Sequence, residues 1–149
     1  GVPATNHTAP GALIAAFLPN PLFAIPAALA SHLVLDMLPH YSGKESHTER
    51  KFFYVLGSDA AVASIILMLV FVAQPSHWLL MITCGVVAAS PDLLWLPYWI
   101  AELKGQTRLP SRLYGFLGRI QWCERPWGWI PETVYFGGVL YLLVPALAR

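Results

Sequence analysis

The sequence predicts an all-α fold: a polytopic integral membrane bundle of about four spanning helices, forming one domain over residues 1–149. Three observations carry that expectation. Charged residues make up 11% of the chain and hydrophobic residues 56%, against about 25% charged in ordinary soluble domains. Several apolar runs reach the ~20 residues that a helix needs to cross a bilayer. Eight of the nine lysines and arginines fall in two loops, after His40 and after Ile100. The positive-inside rule puts both loops in the cytoplasm and the Gln74 turn outside. Cys84 and Cys123 lie far apart without a CxxC pair, so neither a disulfide framework nor a cysteine zinc motif is expected. The expected partners are membrane lipids and an amphiphilic substrate, not nucleic acid; the oligomeric state is open.

Taken in order, Gly1 to Pro10 is short and polar and lacks a basic leader, so the apolar run behind it is expected to be retained. From Gly11 to Leu38 the chain is apolar but broken by Pro19-Asn20-Pro21, which favours a turn and interrupts helical hydrogen bonding. Two helices are expected, about Thr8–Leu18 and Leu22–Leu38. His7 lies thirteen residues before Asn20 and His32 twelve after it. A re-entrant helical hairpin about Asn20 therefore sets the two imidazoles at one depth. The alternative is a single kinked helix that leaves His7 some 30 Å away, a bilayer core's thickness. A polar loop over 41–51 carries Lys44 and His47 and leads to a span from about Phe52 to Ala73. Gln74-Pro75-Ser76 turns the chain into a span from about His77 to Ile100, kinked at Pro91. Residues 101–129 form a basic cytoplasmic interfacial loop. Within it Leu113, Phe116, Leu117 and Ile120 recur at helical spacing beside Arg112 and Arg119, as in an amphipathic surface helix. The last span runs from about Ile130 to Ala148. Glu132 follows Pro131 in its first turn, a position that suits a carboxylate.

The chemistry gathers in Ser31–His40. On a helix His32, Asp36 and His40 fall on one stripe at i, i+4 and i+8, and imidazole with carboxylate is a common donor set for a divalent metal. The bland alternative is a set of polar contacts between helices, but carboxylates in an apolar span are costly and point to function. Pro39 ends or kinks the helix near Leu38, which displaces His40 and leaves the Leu35 carbonyl open to water or a ligand. All three aspartates, Asp36, Asp59 and Asp92, fall inside spans. Helical rise brings them to a similar depth in the cytoplasmic half. Three carboxylates at one level call for compensation, and one or two divalent cations are the simplest remedy.

Asn6-His7-Thr8-Ala9, the Gly11-to-Pro21 run, Ala30-Ser31-His32 through Asp36, Pro39-His40-Tyr41 and Ser90-Pro91-Asp92 resemble the small bacterial inner-membrane proteins classed as membrane-bound metal-dependent hydrolases. That resemblance implies a site in the inner membrane and hydrolysis of an unspecified substrate. Together with the residues above it gives His7, His32, Asp36 and Asp92 as metal ligands. His40 and Asp59 would complete a second metal position or support the first. Zn, Mn or Fe suits such mixed donors. Asp36, or by preference Asp59, would take a proton from the attacking water. Arg112 and Arg119 would hold the phosphate of a phospholipid or lipid-linked phosphoester. An ion or proton carrier predicts acids at several depths along a path, and a non-catalytic membrane partner predicts no bound metal. A di-iron oxygenase is disfavoured by the presence of only five histidines.

Overall fold

A computed structural model describes residues 3–41, 50–106 and 112–149. Lys44, His47 and Arg108 lie outside them. The described chain is helical: α1 (Ala4–Phe17), α2 (Pro21–Met37), α3 (Arg50–Ala73), α4 (Trp78–Ala89), α5 (Leu96–Leu103), α6 (Arg112–Ile120) and α7 (Trp129–Ala146). A 3₁₀ turn over Ser90–Trp95 joins α4 to α5. The one sheet among the described residues is a parallel bridge between β1 (His40–Tyr41) and β2 (Glu124–Arg125).

The chain does fold back at Asn20. Its side chain accepts the Leu22 amide at 3.0 Å and so caps α2, with Pro21 already set for the first helical position. Helix α1 begins at Ala4 rather than Thr8, because its first amides find a partner on another helix. Asp59 of α3 accepts the amides of Ala4 at 2.6 Å and Thr5 at 2.9 Å, and the Thr5 hydroxyl donates to the Asp59 carbonyl at 2.9 Å. A carboxylate there also meets the positive end of the helix dipole. At the end of α2, Leu38 is extended before Pro39, and its amide donates to Leu35 O at 3.1 Å. The Leu35 carbonyl is therefore not open to a ligand, contrary to the expectation from Pro39.

Helix α1 is the axis of the bundle, packed by α2, α3, α4 and α7. The core is made largely of small residues: Ala9, Ala12 and Ala15 of α1, Ala24 and Ala28 of α2, Ala88 of α4, with Ile66, Val70, Met81, Cys84 and Leu143. Small side chains let helix backbones approach closely, the packing mode of helices in lipid. The tightest approach is at Gly11, where a Cβ would overlap the Cys84 carbonyl and lie 2.7 Å from the Ala88 Cβ.

The bundle has two ends. At one, Ser76 donates to the Arg149 carbonyl at 3.0 Å, and the Arg149 guanidinium lies 5.9 Å from the centre of the Phe17 ring. At the other stand the start of α1, the end of α2, Asp59, the 3₁₀ turn and the start of α7. Among the described residues two helical runs are long and apolar enough to cross a membrane: Arg50–Ala73 and the continuous run Trp78–Leu103; Pro21–Met37 is apolar but shorter.

Candidate metal centre

Four side chains from three elements meet where α1 begins. His7 is one turn into α1. His32 and Asp36 follow one another up the last turns of α2, and Asp92 sits in the 3₁₀ turn, which Pro91 opens. The rings of His7 and His32 stack with centres 3.9 Å apart and planes at 29°. Asp36 reaches both, with Oδ1 3.5 Å from His7 Nε2 and Oδ2 3.4 Å from His32 Nε2. Asp92 Oδ1 stands 3.9 Å from His32 Nε2. One donor atom each from His7, His32 and Asp92 lies within 4.8 Å of the others. Four donors about 2.1 Å from a tetrahedral ion are roughly 3.4 Å from one another. Asp36 meets each imidazole near that spacing through a different oxygen, while His7, His32 and Asp92 offer one atom each within 4.8 Å and would draw together around an ion.

What surrounds the four groups fixes how they present themselves. His32 Nδ1 donates to the Ala88 carbonyl at 2.8 Å, which turns Nε2 toward the aspartates. Metal-binding histidines are held this way, by a second hydrogen bond that sets tautomer and ring angle. Gln121, just beyond α6, donates to Asp36 Oδ2 at 3.4 Å. His7, His32 and Asp36 are almost wholly buried, yet His7 Nδ1 and Nε2, Asp36 Oδ1 and Asp92 Oδ2 have no hydrogen-bond partner. Buried polar atoms of native proteins are nearly always satisfied, and orphans grouped around one point mark a place for an ion or water. The donor set and its orphaned atoms fit a divalent transition ion. Asp92, with a side chain 22% exposed, is the open edge.

Two expectations change. His40 leaves the stripe because α2 ends at Met37 and the extended Leu38 carries it into β1. There its Nδ1 donates to Leu38 O at 2.9 Å and its Nε2 lies 3.6 Å from Glu124 Oε1. Burial works to lower the His40 pKa, but the Glu124 carboxylate and the Leu38 carbonyl outweigh it and raise the pKa above the usual imidazole value. Asp59 is at the right level, but both its oxygens are engaged by α1 amides, so it positions the helix that bears His7 and is not a free base. Arg112 and Arg119 are exposed on α6; that segment touches the cluster through Gln121. Neither Gln121 nor the Ala88 carbonyl had a signal in the sequence. Both act through contacts made by helices distant in the chain.

Comparison of the chain with family models, curated proteins and solved structures gave no match.

Proposed function

We propose that the chain is an integral membrane, metal-dependent hydrolase of an amphiphilic substrate, plausible classes being phospholipids and lipid-linked phosphoesters. The observation that supports this is the buried His7–His32–Asp36–Asp92 cluster, in which both His7 nitrogens, Asp36 Oδ1 and Asp92 Oδ2 lack hydrogen-bond partners. His7, His32 and Asp92, with Asp36 beside them, would hold a Zn, Mn or Fe ion, with Ala88 orienting His32 and Gln121 orienting Asp36. Such an ion would supply Lewis acidity toward water near neutral pH. With Asp59 engaged elsewhere, Asp92, whose side chain is partly exposed, is the carboxylate that would take the proton of an attacking water.

A membrane setting follows from where the apolar surface lies. The most apolar window of α3 is only 11% buried within the protein and that of Trp78–Leu103 only 28%. A core helix of a soluble protein would be mostly covered; these faces need an apolar solvent. Asp59 is nine residues into α3, ~14 Å at 1.5 Å per residue, so the start of α1 that it caps lies below the membrane surface. The α1–α2 pair then reads as a re-entrant hairpin, tolerated because α3, α4 and α7 cover α1. Helix α7 runs between the same two ends as α1, from Glu132 to Arg149, and completes a four-helix order with the basic loop on the cytoplasmic side. On this reading the centre lies in the cytoplasmic half of the inner membrane.

The test is elemental analysis of detergent-purified protein alongside hydrolysis of short-chain lipid phosphoesters. One or two equivalents of metal are expected, lost in His32→Ala/Asp36→Ala, with hydrolysis stopped by a chelator and restored by metal. An Asp36→Ala variant that carries as much metal as wild type would overturn the ligand assignment. Failure of the wild type to take up metal would overturn the function.

A further inference from the structure

A second polar group lies one turn into α7. The Glu132 carboxylate is 8% exposed; Oε2 accepts the Tyr41 amide at 3.3 Å and Oε1 has no partner. Glu132 lines a cavity of about 190 Å³ with Asn6, Trp129, Thr133 and Phe136. None of these five residues is cationic. Thr133 donates its hydroxyl proton to the Trp129 carbonyl at 2.7 Å, which leaves the oxygen lone pairs to accept. The lining thus includes the Glu132 carboxylate, its Oε1 enclosed and its Oε2 holding the Tyr41 amide, with hydroxyl and amide oxygens and two aromatic rings. That set is complementary to a small organic cation, which takes hydrogen-bond acceptors on one side and ring faces on the other. A hard divalent ion is a poor fit, because it takes six or more oxygens. The volume equals roughly six waters at ~30 Å³ each, room enough for an ethanolammonium or choline group.

The cavity adjoins the metal centre through α1. Asn6 lines it, and the next residue, His7, belongs to the centre. The Tyr135 hydroxyl, buried without a close partner, approaches Asn6 and lies in the field of both Glu132 and Asp36. We propose that the Glu132 cavity is a binding subsite for a primary or quaternary ammonium, carried by the headgroup of the amphiphile on which the metal centre acts. This deepens the hydrolase reading and rests on it only in calling the ligand a substrate; the subsite itself is tested by binding alone.

The experiment titrates the full chain in detergent with dihexanoyl phosphatidylethanolamine, phosphatidylcholine and phosphatidylglycerol, which share tails and differ in headgroup, and counts bound lipid by native mass spectrometry. The amine-bearing lipids are expected to bind about tenfold or more tighter than the glycerol lipid. Glu132→Gln keeps an oxygen for the Tyr41 amide and removes the charge; it is expected to bring the three lipids within about twofold, with metal content unchanged. Trp129→Leu, at an exposed position, is expected to weaken the choline lipid selectively. Wild-type protein without headgroup preference overturns the proposal, as does a Glu132→Gln variant that keeps it. If Glu132→Gln fails to fold, an undiminished choline preference in Trp129→Leu overturns it instead. Free ethanolamine added as competitor distinguishes the sources. Displacement at the lipid's own concentration assigns the site to a soluble amine, displacement only at great excess to a lipid, and either supports the ammonium subsite. Headgroup preference in a protein that takes up no metal would leave the subsite standing and sink the hydrolase reading alone.

Discussion

Aspartates at similar depth do different work because of what each oxygen meets. Asp36 bridges two imidazoles; Asp59 spends both oxygens on the first amides of α1. Asp59→Ala should therefore act as the loss of a helix cap, costing about 1–2 kcal/mol. The effect should appear as a lower melting temperature, with Asp59→Asn intermediate because it keeps one acceptor. If Asp59→Ala leaves the melting temperature unchanged, the cap is not stabilising. His40 makes a separate prediction about pH. Its pKa is raised in the folded protein above the ordinary 6.5, after burial is outweighed by Glu124 and the Leu38 carbonyl. The folded state therefore holds the proton more tightly than the unfolded one. The stabilisation is complete below about pH 6.5 and is lost as the pH rises through the higher folded value. Thermal melts taken from pH 6 upward should show this loss, and Glu124→Gln should flatten it; an unchanged slope in that variant would remove Glu124 from the account.

At the scale of elements, the packing of α1 against α4 sets the site. Gly11 is the point of closest approach, and a methyl group there meets the Cys84 carbonyl and Ala88. Ala88 is also the residue whose carbonyl orients His32. Gly11→Ala should thus cost about 1–3 kcal/mol through overpacking and should also lower metal occupancy, since it pushes α4 away from the ring it steadies. Normal occupancy with normal stability would show that the interface can yield there. Gly128 has a similar role at the bridge, where a Cβ would overlap the backbone of His40 and Tyr41. Much of this level was legible in the sequence. Pro19-Asn20-Pro21 announced the turn, and the near-equal distances of His7 and His32 from Asn20 announced their pairing. The i, i+4 spacing set His32 beside Asp36. What stayed illegible depends on contacts between distant segments: Asp59 reaching the start of α1, Gln121 reaching Asp36, Glu124 drawing His40 away. Pro39 signalled that the helix would end, but no local rule said where the chain would go next.

The molecule as a whole has most of its large apolar side chains on the outside and alanines within, with Leu22 81% exposed and Val72 72% exposed. That inversion suits a lipid solvent, where close backbone approach replaces a thick hydrophobic core. The proposed four-span order predicts that single cysteines at positions 112 and 74 label from opposite faces of the membrane, the first from the cytoplasm. Labelling of both from one face would remove the Trp78–Leu103 run as a crossing. Metal should also stabilise the whole fold, since the unfolded chain lacks the centre: at a free metal concentration of about a thousand times Kd the gain is about 4 kcal/mol. A chelator should lower the melting temperature of the wild type and leave Asp36→Ala unmoved.

The central place of α1 also bears on the order in which the protein is made. This helix leaves the ribosome before every element that surrounds it. Its first amides wait for Asp59, its closest wall for Cys84 and Ala88, its remaining flank for α7. Until those arrive, His7 sits on a short segment of some 21 Å, at 1.5 Å for each of 14 residues, too short to cross the bilayer alone. On the proposed membrane reading, the hairpin reaches its final packing only once the helices that follow it have arrived. For the proposed centre the last ligand, Asp92, arrives late, and a nascent chain arrested at the Gln74 turn should hold less metal than the full chain.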